Sequence, residues 1–420
     1  MRKCKLGDLF EIKQGFAFKS EKYLSSGEFV LCTLGNISAD NNFKYDLSKA
    51  NYYPDEFSHS FILDEGDLII PLTEQAVGLF GNTAFVPHTE GFKFVLNQRV
   101  GKVIPKKDKA DKHYLHYLLS TELVRNQIEA TATGTSQRNT SPEKIYDVTV
   151  WVPNIEQQRK IGKTLFDMER KENCNNRIND NLQQMAKTIY DYWFTQFDFT
   201  NEDGKPYRSS GGQMVWNDEL KREIPVGWSS ASIVKNSLST VIKPGVDFFD
   251  RKEYLATAEV NGTSISTGSI VEYATRESRA NMQPTVNSVW FAKMKNSVKH
   301  LYLNAEMQPL IDSTILSTGF CGIQCTELSF EFIASFIESS YFETIKDILA
   351  HGATQEAVNN EDMDAIRFAV PTDNILTKYH EATRGMYAQI SKNICENRKL
   401  TALRDWLLPM LMNGQATVNN

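Results

Sequence analysis

The sequence repeats a half-molecule in register. Gly134-Thr135-Ser136-Gln137 is followed by Val148 to Pro153 and then by a long helical pattern; Gly352-Ala353-Thr354-Gln355 is followed by Ile366 to Pro371 and a second such pattern. A single numbering shift of 218 carries Gly134 onto Gly352 and Pro153 onto Pro371, so the register holds across the segment without a gap. Solenoid units recur every ~20–50 residues. A period this long is a duplicated half-molecule, and two related halves suit a target that has two halves.

Length allows two or three domains in 420 residues, and 41% hydrophobic with 23% charged residues supports a sizeable core. No apolar run reaches the roughly 18 residues of a membrane span, and the start, Met1-Arg2-Lys3-Cys4-Lys5-Leu6-Gly7-Asp8, lacks the apolar stretch of a secretory signal. Six scattered cysteines imply no disulfide framework, so the expected setting is a reducing cytoplasm, with no membrane partner. The net charge of −6 weighs against nucleic-acid binding. If DNA is bound, local basic patches make the contact, or a partner supplies many of the phosphate contacts.

Residues 1–153 read as mixed strand and helix. Phe29 to Leu34, Asp67 to Ile70, Phe94 to Leu96 and Val100 to Ile104 look like strands. Tyr114, Leu115, Leu118 and Leu119 have helical spacing. Residues 226–371 form a second such block, with Ser288 to Phe291 as a strand and Phe332 to Ile337 as a helix. After Pro153 the apolar positions are Ile161, Leu165, Met168, Ile178, Leu182, Met185, Ile189 and Trp193, a near-heptad pattern with a polar gap. After Pro371 the matching positions are Tyr379, Met386, Leu400, Leu403, Leu407 and Leu411, and Asn175 and Asn179 recur as Asn393 and Asn397. A seam of this kind cannot bury itself. The simplest arrangement pairs the two helices as an antiparallel coiled coil, packed through Leu165, Met168, Leu182, Met185, Ile189, Met386, Leu400, Leu403 and Leu407; separate packing of each helix on its own block is the alternative. Asparagine on the seam fixes register at some cost in stability.

A set of segments in fixed order carries a family resemblance. It comprises Leu6-Gly7-Asp8-Leu9-Phe10-Glu11-Ile12 with Gly15 and Phe18; Gln183 to Phe199 with Tyr190-Asp191-Tyr192-Trp193-Phe194; and Gly204-Lys205-Pro206-Tyr207 with Ser209-Ser210-Gly211-Gly212. Next come Met214-Val215-Trp216-Asn217, Glu223 to Trp228, Ser278-Arg279-Ala280-Asn281-Met282, and Arg404 to Leu411. With them the chain resembles the specificity subunit of type I restriction–modification systems. The resemblance implies an α+β fold with two pseudo-repeated mixed α/β target-recognition domains, separated by a long antiparallel two-helix coiled coil. The expected boundaries are 1–153 for the first recognition domain, 154–199 for the first spacer helix and 200–225 for a linker. The second recognition domain takes 226–371 and the second spacer helix 372–415. It also implies double-stranded DNA with a bipartite target as ligand, two methyltransferase subunits as partners and endonuclease/translocase subunits in the full complex. Catalysis lies elsewhere: no cofactor belongs to this chain, and S-adenosylmethionine is expected on the methyltransferase, which modifies adenine N6.

The residues agree that no catalytic centre is expected. No Pro-Pro pair exists for the motif an adenine methyltransferase needs. Gly162-Lys163-Thr164 mimics the end of a phosphate loop, but Gln157 stands where its first glycine belongs. Cys321 with Cys325, and His113 with His116, lack a second ligand pair, so no metal site is expected. Candidate DNA contacts in the first block are Lys13, Gln14, Lys19 and Lys22, interleaved with aromatics; Asn97-Gln98-Arg99 between two strand-like runs; and Thr135-Ser136-Gln137-Arg138. Those in the second are Lys243, Arg276, Arg279, Lys293, Lys295, Thr354 and Gln355. A solvated loop or a turn required by the fold accounts for several equally well. A scaffold with two protein-interaction domains, never touching DNA, is the alternative from another class.

Overall fold

The computed structural model describes residues 1–75, 78–135, 137–352, 356–359 and 361–418. The chain divides into two compact units, Met1–Arg170 with Leu403–Asn420, and Lys171–Ala402. Both are mixed helix and strand. The long helices foreseen from the periodicity, Ile155–Tyr190 and Asp373–Met412, each contribute residues to both units. No helix among the described residues is long and apolar enough to cross a membrane.

In the first unit Phe10–Gln14, Val100–Pro105, Leu68–Pro71 and Ala84–Phe85 form an antiparallel sheet in that order. A second sheet orders Tyr52–Tyr53, Phe29–Cys32 and Lys93–Leu96, the last two parallel. The continuous apolar run Phe29–Cys32 is buried at every position, as a strand covered on both faces should be. Helix Lys112–Ser120 starts where the Asp111 carboxylate accepts hydrogen bonds from the His113 and Tyr114 amides, each at 3.0 Å. It buries Tyr114, Leu115, Leu118 and Leu119 against Ile161 and Leu165 of the first long helix and Leu411 of the second. Gly162 is a packing residue. A Cβ there would lie 2.5 Å from the Tyr114 amide nitrogen, so only glycine lets the two helices approach this closely.

In the second unit Ser239–Val241, Phe320–Cys325, Ser288–Ala292 and His300–Leu303 form an antiparallel sheet. A companion sheet orders Ser269–Glu272, Arg251–Leu255, Thr314–Ser317 and Ala280–Met282, with Arg251–Leu255 parallel to Thr314–Ser317. Elements related by the 218 shift are of one kind. Lys112–Ser120 answers to Phe330–Ile337, Glu122–Ala130 to Ser340–Leu349, and Thr149–Val152 to Arg367–Val370. The Tyr190 to Phe199 motif is core: after Tyr190 the helix widens into a π turn, Asp191–Thr195, and Phe194, Phe197 and Phe199 pack on Trp228.

The seam between the long helices is read best within the second unit. Thr401 bonds Glu172, Asn175 bonds Asn397 at 2.8 Å, and Asn393 bonds Asn179 at 2.8 Å. One number falls as the other rises, so the helices run antiparallel there. A shift of 218 turns Asn175 into Asn393 and Asn397 into Asn179. Each bond therefore maps onto the other with its partners exchanged, the mark of a two-fold interface. Asn175, Asn179 and Asn393 are buried; Asn175 also donates to Glu396 and Gln389 donates to Asn393, each at 2.8 Å, while the Asn175 side-chain oxygen has no partner among the described residues.

Two packing expectations are corrected. Met185 and Leu403, equivalent under the 218 shift, are 52% and 43% exposed. The buried stripe passes through Asn175, Asn179, Ala186 and Tyr190, so a pattern counted from large apolar residues alone is displaced by one position. Leu165 is fully buried, whereas Met168 and Leu400 are half-buried. Leu182, Ile189, Met386 and Leu407 pack as partly buried residues against the cores.

Candidate nucleic-acid interface

Each unit ties separate chain segments into one polar node. In the first unit Asn97-Gln98-Arg99 is the tight turn between Lys93–Leu96 and Val100–Pro105. The Leu72 amide donates to the Arg99 carbonyl at 2.9 Å, and the Thr140 amide donates to the Leu72 carbonyl at 3.0 Å. In the second unit Lys293 donates to Gly319, and Val358 to Lys293, each at 3.0 Å. Thr140 and Val358 are again related by the repeat shift.

The glycine loops close alike. Thr133 and Asn139 exchange two backbone bonds of 2.9 Å, and His351 and Ala357 do the same at 3.2 and 3.1 Å. Gly134 has φ +112° and Gly352 has φ +143°. A Cβ on Gly134 would sit 2.2 Å from the Gln137 carbonyl oxygen. Glycine is thus demanded by the fold, and the same turn presents the polar residues after it. Gly134→Ala should cost more than about 1 kcal/mol of stability, read by chemical denaturation; an unchanged midpoint would show that the loop tolerates a side chain there.

A salt bridge staples each loop to a neighbouring segment, a strand in the first unit and a turn in the second. Arg138 lies 3.0 Å from Glu74 and 2.8 Å from Glu129. Lys295 lies 2.7 Å from Glu356. Arg138 and Glu356 occupy equivalent positions in the repeat, so the two staples carry exchanged charges. Arg138 and Lys295 are each held by a carboxylate of its own unit, and Lys22 is paired with the exposed Glu56. Arg276 is folded over the Tyr273 ring at 4.0 Å and donates to the Tyr273 and Ala280 carbonyls. Lys13 is half-buried, bonded to the Ser60 carbonyl and lying over Phe61.

The remaining candidates gather at the nodes. In the first unit Gln98 is exposed and Arg99 half-buried, and no ion pair engages Arg99 among the described residues. Asn97 is spent on the turn, its side chain accepting from the Arg99 amide. Gln14, Lys19 and Thr135 are exposed. Gln14 ends a strand whose continuation reaches the node through the Gln98 amide, which bonds the Phe16 carbonyl at 2.9 Å. Gln137 is half-buried and touches Asn139 at 3.4 Å. In the second unit Lys243 and Arg279 are exposed and Lys293 half-buried. The Arg279 carbonyl accepts from Thr318 at 2.8 Å, beside the Lys293–Gly319 bond. Its side chain meets only the exposed Glu277, at 3.7 Å. Ser136, Thr354 and Gln355 lie outside the described residues.

Sequence reasoning missed Tyr23, Thr33, Asn51 and Gln75, which line a concave depression with Gln98 and Arg99. Only their convergence in space identifies them. It also missed a usable signal, the recurrence of Ile12-Lys13-Gln14-Gly15 as Ile242-Lys243-Pro244-Gly245. Both glycines reach across by backbone bonds, Gly15 to Val100 at 3.2 Å and Gly245 to Asn281 at 2.8 Å. Cys321 and Cys325 are buried, and burial pushes both thiols upward, Cys321 to about 12, so neither is a thiolate at neutral pH.

Comparison with known proteins bears on this geometry. Residues 1–184 match the family model described as the type I restriction modification DNA specificity domain. The chain is 24% identical over 343 residues to the type I restriction enzyme MjaIX specificity subunit of Methanocaldococcus jannaschii, covering 77% of this chain and 73% of the relative. It is 20% identical over 339 residues to the type I restriction enzyme HindI specificity subunit of Haemophilus influenzae, covering 67% and 72%. Among solved structures, the type I restriction-modification system S subunit from M. genitalium matches with a TM-score of 0.57 at 14% identity, over 98% of this chain and 96% of that one. That likeness is one of fold.

Proposed function

We propose that the chain is a type I restriction–modification specificity subunit, a non-catalytic component that gives such a complex its DNA sequence recognition, and that it reads a bipartite duplex target with two pseudo-repeated recognition domains; the family model over residues 1–184 and the specificity-subunit relatives support this reading. The observation that carries this is the recurrence of one node in both units: the same loop closure, the same backbone bonds and a staple with exchanged charges. A shared scaffold with different side chains on it is what reading two different half-sites requires. The first block, 1–153, takes one half-site through Gln14, Lys19, Gln98, Arg99 and the Gly134 loop. The second block, 226–371, takes the other through Lys243, Arg279 and Lys293. Arginine and lysine favour guanine edges, and glutamine favours adenine.

The two long helices act as the spacer that fixes the gap between half-sites. Ile178 and Met185 on the first helix, and Leu403 and Trp406 on the second, leave large apolar side chains exposed for two methyltransferase subunits to cover. Those partners bring S-adenosylmethionine and flip the target adenine out of the stack; endonuclease and translocase subunits complete the assembly. The net charge of −6 is consistent with partners supplying much of the phosphate contact.

Arg279→Ala tests the division of labour. In the complex with its methyltransferase, the variant should lose roughly five- to a hundredfold in affinity for targets with an intact second half-site, with discrimination relaxed at one position of that half alone. Equal weakening on random-sequence DNA would make Arg279 a phosphate contact. Failure of the complex to bind DNA selectively at all would favour the scaffold reading.

A further inference from the structure

We propose that Phe248 is an aromatic wedge that stacks on, or enters between, base pairs of the half-site read by the second unit. This inference rests on the reading that the second unit binds DNA. The Ile-Lys-x-Gly segments of the two units lead into different loops. In the first, Phe18 follows and is buried beneath the parallel strands with Phe29, Leu31 and Val95. In the second, Phe248 stands at the matching distance from the glycine, but the buried ring is its neighbour Phe249, packed with Tyr254 and Ile315. Phe248 is then surplus to the core, and its ring is 77% exposed.

Phe248 is the most exposed of the large hydrophobic side chains among the described residues. Phe248 rests against Tyr273 at 5.4 Å between ring centroids, and the far side of the contact is braced by the Arg276 guanidinium, 4.0 Å from the Tyr273 ring centroid. The Arg276 bonds to backbone carbonyls hold that guanidinium in place. Backbone bonds bring the same loop to the DNA candidates: Gly245 donates to Asn281, two residues from Arg279, and Lys243 precedes the glycine by two. The loop that carries this exposed aromatic is thus joined to segments that bear Lys243, Arg276 and Arg279. Asp247 and Asp250 beside it make the loop itself a poor phosphate binder, so the ring's natural partner is a base face, whose stacking on aromatics is indifferent to phosphate charge. Apolar side chains that wedge into a base step partly unstack it and kink the duplex.

The experiment uses the assembled specificity–methyltransferase complex and duplexes carrying 2-aminopurine at successive steps of each half-site. With the probe kept off the adenines that the methyltransferase flips, wild-type protein should enhance fluorescence at one step of the second half-site only. Phe248→Ala should abolish that signal and weaken binding about tenfold, while Phe248→Trp preserves both. The exposure of Phe248 makes the alanine variant neutral for folding, which its thermal melt will verify. Normal binding and an unchanged fluorescence profile in Phe248→Ala would overturn the proposal. So would loss of methyltransferase assembly with normal fluorescence in the complex that remains, since that assigns the ring to a protein contact. Absence of selectivity for the second half-site in the wild-type complex would instead refute the underlying reading.

Discussion

Removing one heptad from each long helix at facing levels, residues 171–177 and 395–401, shortens the gap between the two recognised half-sites by about three base pairs. Seven residues take out about 10 Å of helix, and B-form DNA rises about 3.4 Å per base pair. The facing levels follow from the bonds joining Glu172 to Thr401 and Asn175 to Asn397. A heptad is close to two turns, so the buried stripe stays in phase, and the surviving Asn179–Asn393 pair keeps the register. Selection from duplexes with randomised spacers, using the assembled complex, reads the gap directly. A folded variant with an unchanged gap would show that the helices do not measure it. Deleting the heptad from one helix alone should instead disrupt the pairing, because each asparagine would then face the wrong partner inside a buried seam.

Glu343→Ala is the substitution expected to cost the most stability, about 3–5 kcal/mol for a broken buried ion pair. Lys346 has a fully buried side chain whose ammonium lies 2.6 Å from Glu343 and 3.0 Å from the Ser297 carbonyl, while His300 approaches the same carboxylate at 2.9 Å. Without Glu343 the ammonium keeps only that carbonyl and Asp347 at 4.0 Å. Burial opposes ionisation of Glu343, but the hydrogen bonds from His300 and Lys346 outweigh it and hold the carboxyl below its ordinary value. A depressed carboxyl stabilises the fold above its unfolded value and ceases to do so as the pH falls through the folded one. Chemical denaturation of wild type should therefore show a loss on acidification below about pH 4.3 that is smaller in Glu343→Ala. Equal pH dependence in both proteins would mean that the carboxyl is not coupled to folding.

The elements that declared themselves in the sequence are those whose signal is local. Phe29–Cys32 and Ser288–Ala292 are unbroken apolar runs, and Tyr114, Leu115, Leu118 and Leu119 carry helical spacing. The long helices were legible from their caps and period, but the face they bury was not. Asn175 and Asn179 occupy the seam that a count of large apolar residues assigns to Ile178 and Met185. The polar gap, where asparagine was expected to fix the register, is the part of the seam with the most specific bonding.

The node was only partly legible, for a related reason. Charge and glycine pointed to turns that take part in the nodes, Asn97 to Arg99 and those closed beside Gly134 and Gly352. Whether a cation is free or spent depends on what lies opposite it. Arg138 meets Glu74 across strands far apart in sequence, and Lys295 meets Glu356 in the same way. Gln75 and Asn51 carry no signal of their own, and only the fold brings them to Arg99. Phe248 was invisible for the opposite reason, since an aromatic beside another aromatic reads as core until one of the pair is found in solvent.

The most direct measurement is a map of methylated adenines in the genome of cells carrying this chain with its methyltransferase. Two reading units on a two-helix spacer predict a target of two short specific blocks, separated by a fixed stretch of indifferent sequence, with a modified adenine in each block on opposite strands. A single continuous block, or methylation with no shared sequence, would contradict it.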